Sequence, residues 1–343
     1  MKKLLNTLYA LTPDAYLSLD GENLVVRPQE GEERRVPLHN IDGVVAFGAR
    51  GASPALLGKC AEYGKAFTFL SRSGRFLARS EGETSGNVFL RREQYRRADS
   101  EEKSLDIARG FIVGKLYNSR YVLERAVRDH ALRLDAEKLR RCSQFLSDSM
   151  EQALHAPDRD SLRGIEGEAA KCYFSAFNEL ILQQNEDFVF SGRNRRPPLD
   201  RVNALLSFAY ALAAGMCASA LSSVGLDPYV GFMHTDRPGR RSLSLDLMEE
   251  FRSVMCDRFV LMLINKRIIA PQHFERREDG AVLLNDDGRK LFLSQWQARK
   301  REEVMHPFLR EKVEWGMLPY AQSLLLARYL RGDTDAYPPL LRR

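Results

Sequence analysis

The spacing of apolar residues changes once along this chain of 343 residues, near residue 90. Before that point, short apolar or alternating runs are separated by glycine-containing turns, a pattern that predicts β-strands joined by hairpins. One segment, residues 53–63, has helical spacing and a Ser-Pro start, which predicts a single helix. The predicted strands lie at residues 4–10, 15–19, 24–27, 35–38, 43–47 and 66–70.

After residue 90 the apolar residues recur at spacings of three and four, which predicts helices. A small hairpin is expected around Asp279 and Gly280. The chain therefore predicts an α+β fold, in which a small β-rich N-terminal domain at residues 1–88 precedes a larger all-α domain at residues 89–343. The predicted helical segments are residues 93–129, 136–156, 161–184, 199–224, 243–266 and 294–331.

Cysteine usage and the N-terminus indicate a cytoplasmic protein without membrane association. The five cysteines form no CxxC pair and no zinc-type spacing with histidine, so buried free thiols in a reducing compartment are expected. No small-residue cleavage site follows the short apolar N-terminus, and no apolar run is expected to reach membrane-spanning length.

The basic residues are clustered, and the formal net charge is +6. Arginines on a protein surface often contact only water and have no binding partner. Arginine also binds phosphate oxygens in pairs, however, and several separated clusters fit a long polyanion better than a small anion. The pattern favours nucleic acid as a partner. The clusters are Arg91, Arg92, Arg96 and Arg97; Arg193, Arg195 and Arg196; Arg237, Arg240 and Arg241; and Arg299, Lys300 and Arg301.

Two segments carry the candidate chemistry. RGIEGEAAKCYF contains Glu166, and GFMHTDRPGRRSLSLDLMEEFR contains His234, Asp246 and Glu249. One imidazole and three carboxylates, without cysteine, are typical ligands of a hard or borderline divalent ion such as Mg²⁺ or Mn²⁺ rather than of structural zinc. In an arginine-rich chain, a phosphodiester is the expected substrate.

The local context of these residues leaves alternatives open. Glycine inside a helix makes the helix less stable by about 1 kcal/mol than alanine does. The presence of Gly164 and Gly167 beside Glu166 therefore requires an explanation, such as the close approach of another backbone segment or of a ligand. A solvated glutamate between packing glycines is the alternative. His234 lies in a polar loop, where a lone histidine is usually just solvated.

In the helix after this loop, Asp246, Glu249 and Glu250 have the spacing of side chains that share one face. Like charges at that spacing repel, and a cation between them would explain the pattern. The alternative is a helix capped by Ser242 or Ser244, with acidic residues favoured by the helix dipole.

Three motifs follow one another in the chain: GIEGEAAKCYF, PPLDRVNALLSFAYALAAG and GFMHTDRPGRRSLSLDLMEEFR. In their order and context, the chain resembles Cas1, the family of CRISPR-associated integrases of spacer acquisition. The β-rich N-terminal part resembles that family's N-terminal domain. The resemblance implies that Glu166, His234 and Glu249 hold Mg²⁺ or Mn²⁺, although many relatives have aspartate at the last position. It implies a supporting catalytic role for Asp246.

The resemblance also implies DNA contacts. Two positions in the second motif, Asn203 and Tyr210, match helix positions near the DNA strand in the family. The basic cluster of the histidine loop adds three predicted contacts, Arg237, Arg240 and Arg241.

The activity implied by the resemblance is metal-dependent integration of DNA. The 3′ hydroxyls of a prespacer, a duplex with single-stranded 3′ ends, attack CRISPR repeat DNA by transesterification, and endonuclease activity accompanies the joining. No ATP is needed, in agreement with the absence of a GxxxxGK[ST] loop. Two alternatives remain, a nuclease specific for branched DNA and a non-catalytic DNA-binding scaffold. Intact candidate ligands at all three positions argue against the scaffold.

The resemblance also implies partners. The family forms homodimers, with much of the dimer contact in the β-rich domain, and two dimers flank a Cas2 dimer. The segments RRPPLDRVN and LSLDLMEEFR are closest to the subtype I-C branch, which often employs Cas4 as well.

Overall fold

The computed structural model describes residues 7–41, 43–72, 76–80, 82, 88–194 and 197–342. Two compact units are present, one formed by residues 1–85 and 284–302 and the other by residues 86–283 and 303–343. A β-rich N-terminal part is followed by a helical part, which confirms the predicted α+β fold class. The first unit takes in a segment that is distant in sequence from its strands.

The first unit contains two four-stranded sheets, with strand orders β1-β5-β7-β8 and β4-β3-β2-β6. The strands are β1 Thr7–Ala10, β2 Tyr16–Asp20, β3 Asn23–Arg27, β4 Arg34–Pro37, β5 Gly43–Phe47, β6 Gly51–Ala52, β7 Ala66–Leu70 and β8 Phe76–Ser80. Strands β2, β3 and β4 form an antiparallel meander, with Leu17 opposite Val26. The predicted hairpin turn is present, since Gly21 has a positive φ of 57°.

The turn pattern predicted that neighbouring strands would be joined by hairpins. The other sheet differs from this prediction, because it is not built only from hairpins. Strands β1, β5 and β7 run parallel, because helix α1, Pro54–Glu62, returns the chain between β5 and β7. Helix α1 begins as predicted, with Pro54 in its first turn and the Ser53 hydroxyl accepting from the Leu56 amide at 3.2 Å. Leu17, Leu56 and Phe67 are buried in the core of this unit.

Helices dominate the rest of the chain. They are α2 Val88–Asp99, α3 Glu101–His130, α4 Ala136–Leu154, α5 Arg159–Ser175, α6 Arg201–Ser223, α7 Ser242–Glu249, α8 Arg258–Asn265, α9 Asp286–Lys300 and α10 Leu318–Leu330. Between α7 and α8 the helix widens into a π-helical turn, Arg252–Asp257. Such turns occur frequently at functional sites.

The C-terminal part is not all-α. The predicted hairpin is present as strands β9, Phe274–Arg276, and β10, Val282–Leu284. A second ribbon, β11 Glu303–Met305 paired with β12 Lys312–Glu314, interrupts the segment predicted as one helix at residues 294–331. Its strands are three residues long and bury only Val304 and Val313, so they leave little period-two signal.

One described helix, α6, is long and apolar enough to cross a membrane by length and composition, which the sequence reading had not expected. However, 67% of its most apolar window is buried inside the protein. Its apolar surface packs in the core through side chains such as Val202, Leu205 and Ala209. We therefore describe α6 as a core helix.

Candidate functional site

Two of the predicted metal ligands, Glu166 of α5 and Glu249 of α7, meet at a lysine of α3. The Lys115 Nζ lies 2.7 Å from Glu249 Oε2 and also contacts Glu166 Oε1. The Lys115 side chain is only 10% exposed. Sequence reasoning missed this residue, although a lysine in the apolar run FIVGKLY is unusual, because lysine is rarely buried unless it is paired.

A second cation contacts Glu249 from the π-helical turn. The Arg252 Nη1 lies 2.7 Å from Glu249 Oε1 and 3.0 Å from Oε2. Burial alone would raise the pKa of Glu249, but the charges of Arg252, Lys115 and His234 outweigh it and lower the pKa to about 2. Glu249 is therefore a buried carboxylate that stays ionised at neutral pH.

His234 is held by Asp246, which is fully buried. The His234 Nδ1 lies 2.6 Å from Asp246 Oδ1, which also accepts the His234 amide at 2.9 Å. The amides of Phe232 and Met233 donate to Asp246 Oδ2 at 2.7 and 3.0 Å. When Nδ1 carries the proton, Nε2 presents its lone pair, as in metal-bound histidines supported by a carboxylate.

The loop before His234 closes tightly on Asp246, and Gly231 permits this. A Cβ at position 231 would lie 2.8 Å from Asp246 Oδ2 and 2.7 Å from the Ser242 Cβ. Helix α7 has no side-chain N-cap, so the alternative of a helix capped by Ser242 or Ser244 does not fit the structure. The Ser242 hydroxyl donates to the Thr235 carbonyl at 3.2 Å instead.

The prediction that Asp246, Glu249 and Glu250 share one cation is also wrong, because each carboxylate has its own partners. Glu250 Oε2 accepts hydrogen bonds from Gln322 Nε2 at 2.8 Å and from the Leu340 amide at 2.7 Å. Burial raises the pKa of Glu250 to about 8. Helix α7 ends at Glu249, and the neighbouring side chain of Glu250 is directed to the C-terminal segment.

The two glycines beside Glu166 do not pack against the protein. Beyond its chain neighbours and the backbone of its own helix, a Cβ built at Gly164 or Gly167 would meet no atom of the described residues within 4 Å. Gly164 is exposed. Packing within the chain therefore does not explain these glycines, and the surface next to Glu166 has room for a ligand.

The donor atoms of this cluster suit a divalent ion, but their spacing does not match that of a metal site. In the described part of the chain, no three His, Cys, Asp or Glu side chains are gathered closely enough to hold a metal ion as placed. Glu166 and Glu249 nevertheless share one cation, the ammonium of Lys115, and His234 lies near enough to lower the pKa of Glu249. Their oxygen and nitrogen donors suit Mg²⁺ or Mn²⁺.

The two predicted DNA contacts on α6 are buried. The Asn203 amide donates to the Gly192 carbonyl at 2.8 Å and accepts from the Asn194 backbone at 3.1 Å. The Tyr210 hydroxyl donates to Asp257, whose pKa burial raises to about 6. Both side chains therefore form hydrogen bonds within the chain, and their contact with DNA stays a prediction.

The predicted arginine contacts are more accessible. Arg237 is exposed, and Arg240 and Arg241 are half-buried. The Arg241 Nε donates to the Tyr229 hydroxyl at 3.4 Å. Two members of another predicted cluster, Arg195 and Arg196, lie outside the described residues.

Comparison with known proteins gives a consistent result. The sequence model of a family described as CRISPR associated protein Cas1 matches residues 8–298. A CRISPR-associated endonuclease Cas1 from Chlorobaculum tepidum is 50% identical over 343 residues, which cover 100% of both chains. A solved CAS1 protein from Thermotoga maritima has the same fold, with a TM-score of 0.83, 24% identity, and coverage of 97% of this chain and 99% of that one.

Two further matches are parts of larger assemblies. A CRISPR-associated exonuclease Cas4/endonuclease Cas1 fusion from Geobacter sulfurreducens is 38% identical over 339 residues, covering 98% of this chain and 60% of the fusion. A structure described as a Cas6-RT-Cas1–Cas2 complex matches in fold with a TM-score of 0.83 at 22% identity. It covers 99% of this chain and 36% of the matched one.

Proposed function

We propose that this chain, which belongs to the Cas1 family of CRISPR-associated proteins, is a metal-dependent DNA integrase of spacer acquisition with endonuclease activity. The observation that carries the proposal is the convergence of Glu166 and Glu249 on one cation, next to a histidine held by a buried aspartate. A divalent ion in place of the ammonium would have the donor atoms that it prefers.

In this proposal Glu166, His234 and Glu249 hold Mg²⁺ or Mn²⁺. A bound ion would supply neutralisation of the charge that develops on the phosphate oxygens and would orient the reacting groups. Asp246 acts through His234, by fixing the proton on Nδ1 and the direction of the ring. Lys115 and Arg252 keep Glu249 ionised, so its carboxylate is ready to bind a cation.

The proposed reaction is a transesterification. The 3′ hydroxyl of a prespacer strand attacks a phosphodiester of the CRISPR repeat, and the repeat strand leaves with a new 3′ hydroxyl. One phosphodiester replaces another, so no nucleotide hydrolysis is required. With water as the nucleophile the same residues would cleave DNA, which agrees with the description of the relative from Chlorobaculum tepidum as an endonuclease. A nuclease specific for branched DNA is therefore the second candidate.

The proposed assembly is a homodimer that works with a Cas2 dimer on prespacer and repeat DNA in the cytoplasm. The β-rich domain, residues 1–88, is proposed to supply dimer contacts, and residues 89–343 the catalytic domain. A relative fused to Cas4 supports Cas4 as a further partner. The assignment to subtype I-C rests on the RRPPLDRVN and LSLDLMEEFR segments.

A half-site integration assay with the purified chain and its Cas2 partner tests the proposal. We expect Glu166→Ala and His234→Ala to abolish strand joining in Mn²⁺ while DNA binding remains, because neither substitution removes an arginine or lysine of the basic clusters. Glu168→Ala is the matched control, since this exposed residue of the same helix pairs only with Lys171 in the described contacts. Strand joining by either of the first two variants would contradict the site, and cleavage without joining would favour the nuclease.

A further inference from the structure

Two cysteines that are 30 residues apart in sequence lie side by side in the helical unit. The Sγ atoms of Cys142, on α4, and Cys172, on α5, are 2.8 Å apart. Thiol groups in ordinary van der Waals contact are more widely separated, and a disulfide requires about 2.05 Å. The two sulfur atoms therefore need to approach each other by less than about 1 Å to reach the length of a disulfide.

The two thiols differ in accessibility. Cys172 is partly exposed, whereas Cys142 is 5% exposed. Burial, together with the hydrogen bond from Cys172, raises the pKa of the Cys142 thiol. An oxidant from solvent would thus meet Cys172 first, while Cys142 remains a protonated thiol directly behind it. Redox-responsive cysteines are often placed in this way, with an accessible thiol next to a resolving one.

We propose that Cys142 and Cys172 form a reversible disulfide in the presence of hydrogen peroxide, and that this bond fastens α5, the helix of Glu166, to α4. Peroxide oxidises the Cys172 thiolate to a sulfenic acid and is reduced to hydroxide, which takes up a proton as water. The Cys142 sulfur then attacks the sulfenic sulfur, and the S–OH bond breaks. The displaced hydroxyl leaves with the Cys142 proton as a second water, and a dithiol reductant reverses the bond.

The crosslink has a structural consequence. It closes a loop of about thirty residues that includes the turn between α4 and α5, which restricts the unfolded chain. The oxidised protein should therefore unfold at a higher temperature, by on the order of 5–10 °C. A reducing compartment would keep the pair open, and oxidative stress would close it.

Thiol counting and peptide mapping on the full chain test this proposal. After peroxide, we expect free thiols under denaturing conditions to fall from five to three, and the intact mass to fall by two hydrogen atoms. Trypsin cuts after Arg141 and Lys171, so the crosslink joins two peptides that begin at the two cysteines. Dithiothreitol should separate them and reverse the thermal shift.

Cys172→Ser should prevent both the crosslink and the shift, and Cys60→Ser, a buried cysteine of the other unit, should change neither. If a variant misfolds, peptide mapping of the chain without substitutions still shows whether the crosslink forms. Five free thiols after a peroxide dose that oxidises free dithiothreitol would overturn the proposal. So would oxygen added to Cys172 without a crosslink, or a disulfide formed between two chains.

Discussion

Replacing Asp246 by asparagine distinguishes the proposed supporting carboxylate from the proposed metal ligands. The carboxylate accepts four hydrogen bonds, from the amides of Phe232, Met233 and His234 and from the His234 Nδ1. Asparagine keeps one acceptor oxygen and replaces the other with an NH₂ group, which can only donate. Either orientation of the amide therefore places a donor against at least one backbone N–H.

The two orientations have different costs. With the NH₂ group facing Phe232 and Met233, two buried N–H groups lose their acceptor. With it facing His234, only one backbone N–H does, so this orientation is favoured. An unsatisfied buried group costs about 1–3 kcal/mol, so we expect a destabilisation of that size, which corresponds to a fall of about 2–12 °C in Tm.

The favoured orientation also changes the histidine. The asparagine NH₂ would donate to Nδ1, so the ring proton moves to Nε2, the nitrogen proposed to bind the metal. Loss of the carboxylate that supports a metal-binding histidine reduces metal affinity or activity by about 10–100-fold. We expect Asp246→Asn to keep measurable strand joining, which excess Mn²⁺ partly restores.

Glu249→Gln should behave differently, because it removes a proposed metal ligand. It also leaves the buried charges of Lys115 and Arg252 without their shared carboxylate, and breaking a buried ion pair typically costs about 3–5 kcal/mol. We expect no recovery at any Mn²⁺ concentration. The assay is a Mn²⁺ titration of both variants in half-site integration, alongside thermal unfolding to confirm that each is folded. The reverse order of recovery would refute the assignment of the two roles.

Three other predictions concern the loop before His234, the buried carboxyl of Glu250 and the basic clusters. Gly231→Ala should abolish strand joining and lower Tm, because the added Cβ would meet Asp246 Oδ2 at 2.8 Å. Gly215→Ala should do neither, because beyond its chain neighbours and its own helix backbone the added Cβ would meet no described atom within 4 Å, and equal activity of the two variants would count against the loop geometry. Burial raises the pKa of Glu250 in the folded chain to about 8, above the 4.5 of an ordinary glutamate, so its stabilising effect is complete below pH 4.5 and is lost as the pH rises through 8. Denaturant unfolding at several pH values should show this loss in the unmodified chain and a flatter profile in Glu250→Gln, and identical profiles would disprove it. DNA affinity should fall steeply with salt, and a flat plot of log K against log salt would mean that the clustered arginines pair within the protein.

The sequence by itself determined those features that depend on neighbouring residues. Alternation and turn residues predicted the β2-β3-β4 meander, and a Ser-Pro start predicted α1, because strand and helix periodicities and helix caps are local properties. Donor chemistry likewise singled out Glu166 and His234 as candidate ligands, since a metal's preference for oxygen and nitrogen can be read from residue types.

Only the tertiary structure decided which residues meet. The parallel order of β1, β5 and β7, the position of Lys115 between two glutamates and the pairing of Cys142 with Cys172 all join segments that are distant in sequence. Lys115 and Glu166 are 51 residues apart, and no spacing rule relates them. Adjacent residues can also diverge, as Glu249 and Glu250 do where α7 ends. Such contacts depend on how whole helices pack, and the free energy of packing is summed over the entire core rather than over any local pattern.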